Sequence, residues 1–107
     1  MTENKFMGKW KIVEMDGWDL KAIDLVEPGY IQFDGQTKGS LHFICIYADI
    51  SYALDSGNKK AVFSFYGDEE GNKISGRGWA KIKNNELHGH IYINHGDESG
   101  FIARLMA

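Results

Sequence analysis

The chain has 107 residues, 43% of them hydrophobic and 25% charged, with a formal net charge of −3. That length and balance predict a single globular domain over 1–107 with one modest core. An acidic chain without a basic stripe argues against nucleic-acid binding, no apolar run approaches the ~18 residues of a membrane span, and a lone cysteine excludes an intramolecular disulfide and fits a reducing, cytoplasmic setting.

Met1 leads into the polar Thr2-Glu3-Asn4-Lys5, which lacks the apolar segment of a secretory signal. Gly8-Lys9-Trp10 then opens a strand over 8–15. Strict alternation there puts Trp10, Ile12 and Glu14 on one face, and with Trp10 turned inward Glu14 turns inward too. The segment 18–26 breaks the alternation. Its apolar residues Trp18, Ala22, Leu25 and Val26 have helical spacing, and Pro28 ends the run because the residue before a proline is pushed out of the helical region. A short helix near residues 18–26 would cap one end of the fold.

Beyond it, strands are predicted over 29–34, 39–47, 49–54, 60–66, 74–83, 86–94 and 99–105, each rich in β-branched and aromatic residues. Turn signals separate them: Asp34-Gly35, Asp55-Ser56-Gly57-Asn58, Glu70-Gly71-Asn72, Asn84-Asn85 and His95-Gly96-Asp97. Cys45 lies in the apolar run Phe43-Ile44-Cys45-Ile46-Tyr47 and reads as a buried small hydrophobe. Short loops between successive strands predict an all-β, antiparallel meander that closes into a compact barrel of about eight strands, which removes exposed sheet edges.

Gly8-Lys9-Trp10 at one end of the chain and Arg104 at the other resemble the calycin pattern of lipocalins, fatty-acid-binding proteins and avidins. The resemblance implies a barrel closed at one end by Gly8 and Trp10, with Arg104 laid over the indole. Longer strings, Trp10-x-Ile12-x-Glu14-Met15-x-x-Trp18-Asp19, Ser75-Gly76-Arg77-Gly78-Trp79-Ala80 and His95-Gly96-Asp97-x-Ser99-x-Phe101, are similar to those of a group of small bacterial proteins. That likeness implies a bacterial, cytoplasmic, calycin-like barrel and no activity. Where that group has an aromatic-Trp pair, this chain has Phe65-Tyr66-Gly67.

The candidate chemistry starts from the inward Glu14. A buried carboxylate needs a partner, and Arg77, between two glycines that clear space on the opposite face, is the natural one. Glu14 and Arg77 would form an anchor for a small polar or anionic ligand at a barrel mouth, with Trp18 and Trp79 as walls and His95 and Asp97 contributed by the last loop. The alternative is a structural ion pair inside a solid-packed barrel that works by protein–protein contact. His88 and His90 share a strand face with Tyr92 and are expected to point outward. The pair lacks the further ligands a metal site needs, so no metal or cofactor is assigned. His95, Asp97 and Ser99 show no nucleophile elbow, so no catalytic residue is assigned, and an enzyme using Glu14, His95 or Asp97 is the least favoured class. Trp79, Tyr47, Tyr52, Tyr66 and Tyr92 exceed what a small interior holds, so some must lie outside. Such outer aromatics mark association surfaces, and a homodimer through Tyr92 and the outer histidines is the expected assembly.

Overall fold

A computed structural model describes residues 4–55, 57 and 59–106. Eight strands run in chain order as β1 (Gly8–Met15), β2 (Tyr30–Phe33), β3 (Lys38–Phe43), β4 (Ile46–Leu54), β5 (Ala61–Glu69), β6 (Asn72–Lys83), β7 (Glu86–Ile93) and β8 (Glu98–Leu105), with one helical turn, α1 (Leu20–Ile23), between β1 and β2. Each strand pairs antiparallel with the next, and β8 returns to β1, so the sheet is a closed barrel. The all-β barrel expected from the alternation is the fold observed. Ser56 and Asn58, part of the expected turn at 55–58, lie outside the described residues.

Two hairpins follow directly from turn chemistry. At Glu70-Gly71 and Asn84-Asn85 both loop residues have positive φ, the backbone that a two-residue hairpin needs to match the strand twist. A third hairpin does not announce itself. β3 and β4 turn at Ile44-Cys45, where Ile44 holds φ 59 although it is β-branched. Tertiary contact imposes the turn: the Ile44 N–H donates to the Ile23 carbonyl at the end of α1. The strand expected over 39–47 is therefore cut at Phe43, and Cys45 sits half-buried in a turn rather than in the core. The helix is also shorter than 18–26. Asp19 caps it by accepting from the Ala22 N–H at 2.9 Å, and Asp24 ends it and takes the Gly29 N–H at 2.8 Å.

A bulge in β1 reverses one expectation. Ile12 pairs with Ala103, but Glu14 pairs with Ile102, so the register slips by one residue between them. Such a slip turns every later side chain to the opposite face. Met15 is buried and Glu14 is exposed on the outside of the barrel.

The interior is filled by Trp10, Phe33, Leu41, Phe43, Phe63, Phe65, Ile91 and Phe101, all buried. Glycines make the room. A Cβ on Gly76 would stand 2.5 Å from Phe65 Cζ, one on Gly78 2.6 Å from Phe63 Cζ, and one on Gly89 2.6 Å from Phe101 Cζ. Each glycine is the direct cross-strand partner of the ring that covers it. A gap in the core measures about 10 Å³ and is walled by apolar side chains such as Ile12, Met15 and Phe43. A site that small and apolar stays dry.

Candidate functional site

Both ends of the barrel are stopped by tryptophan. At the end where β1 begins, the Trp10 indole N–H donates to the Phe6 carbonyl at 2.9 Å and the ring is 2% exposed. At the opposite end Trp18 packs on Phe43, with ring centroids 5.5 Å apart. Arg104 shares with Trp10 the lining of a cavity of about 670 Å³ at the Trp10 end of the barrel, but among the described residues it makes no cation–π contact with the indole, the stacking that the calycin pattern implies. It pairs across the ladder with Lys11, one position along from Trp10, and so falls on the outer face. There its Nε donates to Glu86 at 2.9 Å, and that hydrogen bond holds the Glu86 carboxyl below its ordinary range.

The six side chains expected at one mouth are dispersed. Trp18 plugs the mouth. Glu14 lies on the outer face of β1, while Arg77 and Trp79 lie on the outer face of β6, three strands away around the barrel. His95 and Asp97 occupy the exposed β7–β8 turn, where His95 has φ 61 and the Asp97 carbonyl accepts from the Ile93 N–H. The Glu14–Arg77 pair is not formed, because the bulge in β1 turns the carboxylate outward and strand alternation turns the guanidinium outward. Next to that turn, Ser99 is 2% exposed and its hydroxyl takes the Gly17 N–H at 3.0 Å, while Asp16 accepts from the Gly100 N–H at 3.1 Å. These contacts latch the last loop to the first, which is a structural role.

Arg77 and Trp79 do belong together, on the outside. The register sets Val62, Trp79 and His90 side by side across β5, β6 and β7, and Ser64, Arg77 and Tyr92 in the row beside them. The Arg77 guanidinium lies 4.8 Å from the Tyr92 ring centroid. Lys60 and Lys81 hold their ammonium groups 5.1 and 5.8 Å from the Trp79 ring. Among the described residues none of these three cations has a carboxylate within 4.0 Å. The histidines do: His90 meets Glu98 at 2.9 Å and His88 meets Glu86 at 3.3 Å. Both histidines point outward as expected, and no group of three or more His, Cys, Asp or Glu converges among the described residues.

Lys60 and Lys81 are not among the candidate site residues of the sequence. Their approach to Trp79 could have been read from the β6 alternation, which places Lys81 two residues from Trp79 on the same face. Lys60 depends on the β5 register, which sequence alone does not set. Tyr52, counted among candidate outer aromatics, is instead 4% exposed, with its hydroxyl hydrogen-bonded to the Gly35 carbonyl and to Asn4.

Compared with protein-family models, curated proteins and solved structures, the chain matches none.

Proposed function

We propose that this chain is a protein-interaction module in which a filled barrel serves as scaffold and the outer wall of β5–β7 docks an acidic segment of a partner protein. The observation that carries this reading is the set of cations held over half-buried rings and, among the described residues, without a carboxylate partner: Arg77 over Tyr92, and Lys60 and Lys81 over Trp79. Trp, Tyr and Arg are the residue types that dominate binding energy at protein interfaces. A cation resting on a ring in water gains only about 0.5–1 kcal/mol, so a carboxylate competes for it easily. An acidic segment would draw the three cations off the rings and leave ring faces free for its apolar side chains. The charge contrast favours such a partner, because these cations cluster on one wall of a chain whose net charge is −3. The packed interior supports the same reading, since a gap of about 10 Å³ has no room for a ligand.

The test is calorimetric titration with a short Glu/Asp-rich peptide carrying one Phe, against its Lys-rich counterpart, citrate and an oligo-dT strand. The acidic peptide should bind, and Trp79→Ala or Arg77→Ala should weaken it about tenfold. Citrate binding as well as the peptide would return Arg77 to a small-anion site. Preference for oligo-dT would overturn the protein-partner reading, and a dimer that dissociates on Trp79→Ala would assign the wall to a second copy.

A further inference from the structure

A second surface lies on the outer wall of β2–β6. It is a groove of about 390 Å³ lined by Tyr30, Tyr47, Tyr66, Asp49, Asp68 and Lys73. We propose that this groove binds a neutral pyranose saccharide.

The rings are set before any ligand arrives. Tyr30, His42 and Tyr47 are cross-strand partners in one row. His42 is fully buried, stacks on Tyr47 with centroids 4.0 Å apart, and has its Nδ1 2.9 Å from the Ile46 carbonyl. A carbonyl only accepts, so Nδ1 carries the proton, and the ring is fixed beneath Tyr47. From the other side the Tyr47 hydroxyl donates to Glu27 at 2.5 Å. Tyr66 lies in the adjoining row, opposite Asp49, while Tyr47 stands opposite Asp68. The two tyrosines are thus diagonal neighbours, roughly 7–8 Å apart. Tyr47 is 42% and Tyr66 59% exposed, so ring surface is available to a ligand.

The lining selects against charge of either sign. A cation would meet the ammonium groups of Lys9, 4.3 Å from the Tyr30 centroid, and Lys73, 5.9 Å from that of Tyr66. An anion would meet Asp49 and Asp68. What remains suited is a molecule with one apolar face and a rim of hydroxyl groups that both donate and accept. A pyranose ring is that: its axial C–H face packs on tyrosine, and its equatorial hydroxyls reach carboxylates, the Lys73 ammonium and the Ser40 hydroxyl. A Tyr47 ring held by His42 and Glu27 before binding lowers the ordering cost, which matters in a shallow site.

The experiment follows backbone amide shifts while maltotetraose, cellotetraose and chitotetraose are added to about 20 mM, several times the millimolar Kd of a shallow site. At least one should move the amides of Ser40, Tyr47, Asp49 and Tyr66. Tyr66→Ala and Asp49→Asn, both at exposed positions, should each weaken that binding about tenfold, while Trp79→Ala should leave it unchanged. No movement with any of the three, or movement that survives Tyr66→Ala, would overturn the proposal. Larger shifts at the same amides with choline would overturn it in favour of an organic cation. Because Trp79 carries the acidic-segment reading and Tyr66 this one, either can fail alone.

Discussion

Phe63 lies across Gly78, its direct partner on the neighbouring strand, so closely that a single added methyl would stand 2.6 Å from the ring. The same relation joins Phe65 to Gly76, on the other side of Arg77 in sequence. Glycine normally weakens a strand, but here a cross-strand ring fills the space the missing side chain leaves. The Gly76-Arg77-Gly78 run therefore serves the core on one face and presents Arg77 on the outer wall on the other.

Stability should separate these two faces. Gly78→Ala would set a methyl 2.6 Å from both the Phe63 ring and the His90 carbonyl and should cost about 1–3 kcal/mol, as overpacking does. Arg77→Ala, one residue away, should stay within about 0.5 kcal/mol because the side chain is exposed and has no carboxylate partner among the described residues. Urea denaturation of the two variants checks this, and equal midpoints would show that the ring does not fill the glycine's space.

The β1 bulge makes a similar contrast at adjacent residues. Met15→Ala should cost about 2–5 kcal/mol, as large-to-small changes in a core do. Glu14→Ala should be neutral within about 0.5 kcal/mol. Without the bulge the order would reverse, and the same denaturation series reads the register.

Much of this fold is legible in the sequence, because the turns at Glu70-Gly71 and Asn84-Asn85 use residues that tolerate positive φ and the strands between them alternate. The Ile44-Cys45 turn is illegible, since neither residue favours a turn and the contact that imposes it comes from Ile23, far along the chain. The bulge after Ile12 leaves no compositional mark either, and from it follows the misplacement of Glu14. Trp79 and Arg77 stand out by residue type as candidates for binding. Their setting on the outer wall depends on strand register, as does the tyrosine groove, whose members come from β2, β4 and β5.

Alkaline titration should report the Tyr47–Glu27 contact. The hydrogen bond to Glu27, with smaller contributions from burial and the carboxylate charge, pushes the Tyr47 phenol up to about 12 from its ordinary 10.0. The folded state thus favours the protonated phenol. The stabilisation is complete below about pH 10, where the unfolded chain's tyrosine is still protonated, and is lost as pH rises through about 12. Tyrosinate absorbance should show one late-titrating tyrosine in the wild type that moves back toward 10 in Glu27→Gln. An unchanged curve would remove this contact from the account of the groove.

Cys45 should be a slow thiol. Burial, then the hydrogen bond to Glu70 and the charges of Glu70 and Glu69, raise its pKa above the ordinary value, and the thiolate is the reactive form. Iodoacetamide should modify it more slowly at neutral pH than a free cysteine, and Glu70→Gln should speed the reaction. A fast wild-type thiol would contradict the half-buried turn geometry.

The central claim is that the barrel works from its outer wall, and the three tryptophans report on it separately. The Trp10 indole is sealed against Phe6, Trp18 plugs the mouth, and Trp79 stands on the β5–β7 wall. The most direct measurement is the shift of the three indole N–H resonances as the acidic, Phe-bearing peptide is added. The account predicts that Trp79 moves while Trp10 and Trp18 stay still. Movement of Trp18 with Trp79 silent would contradict it and place the binding site at the barrel mouth.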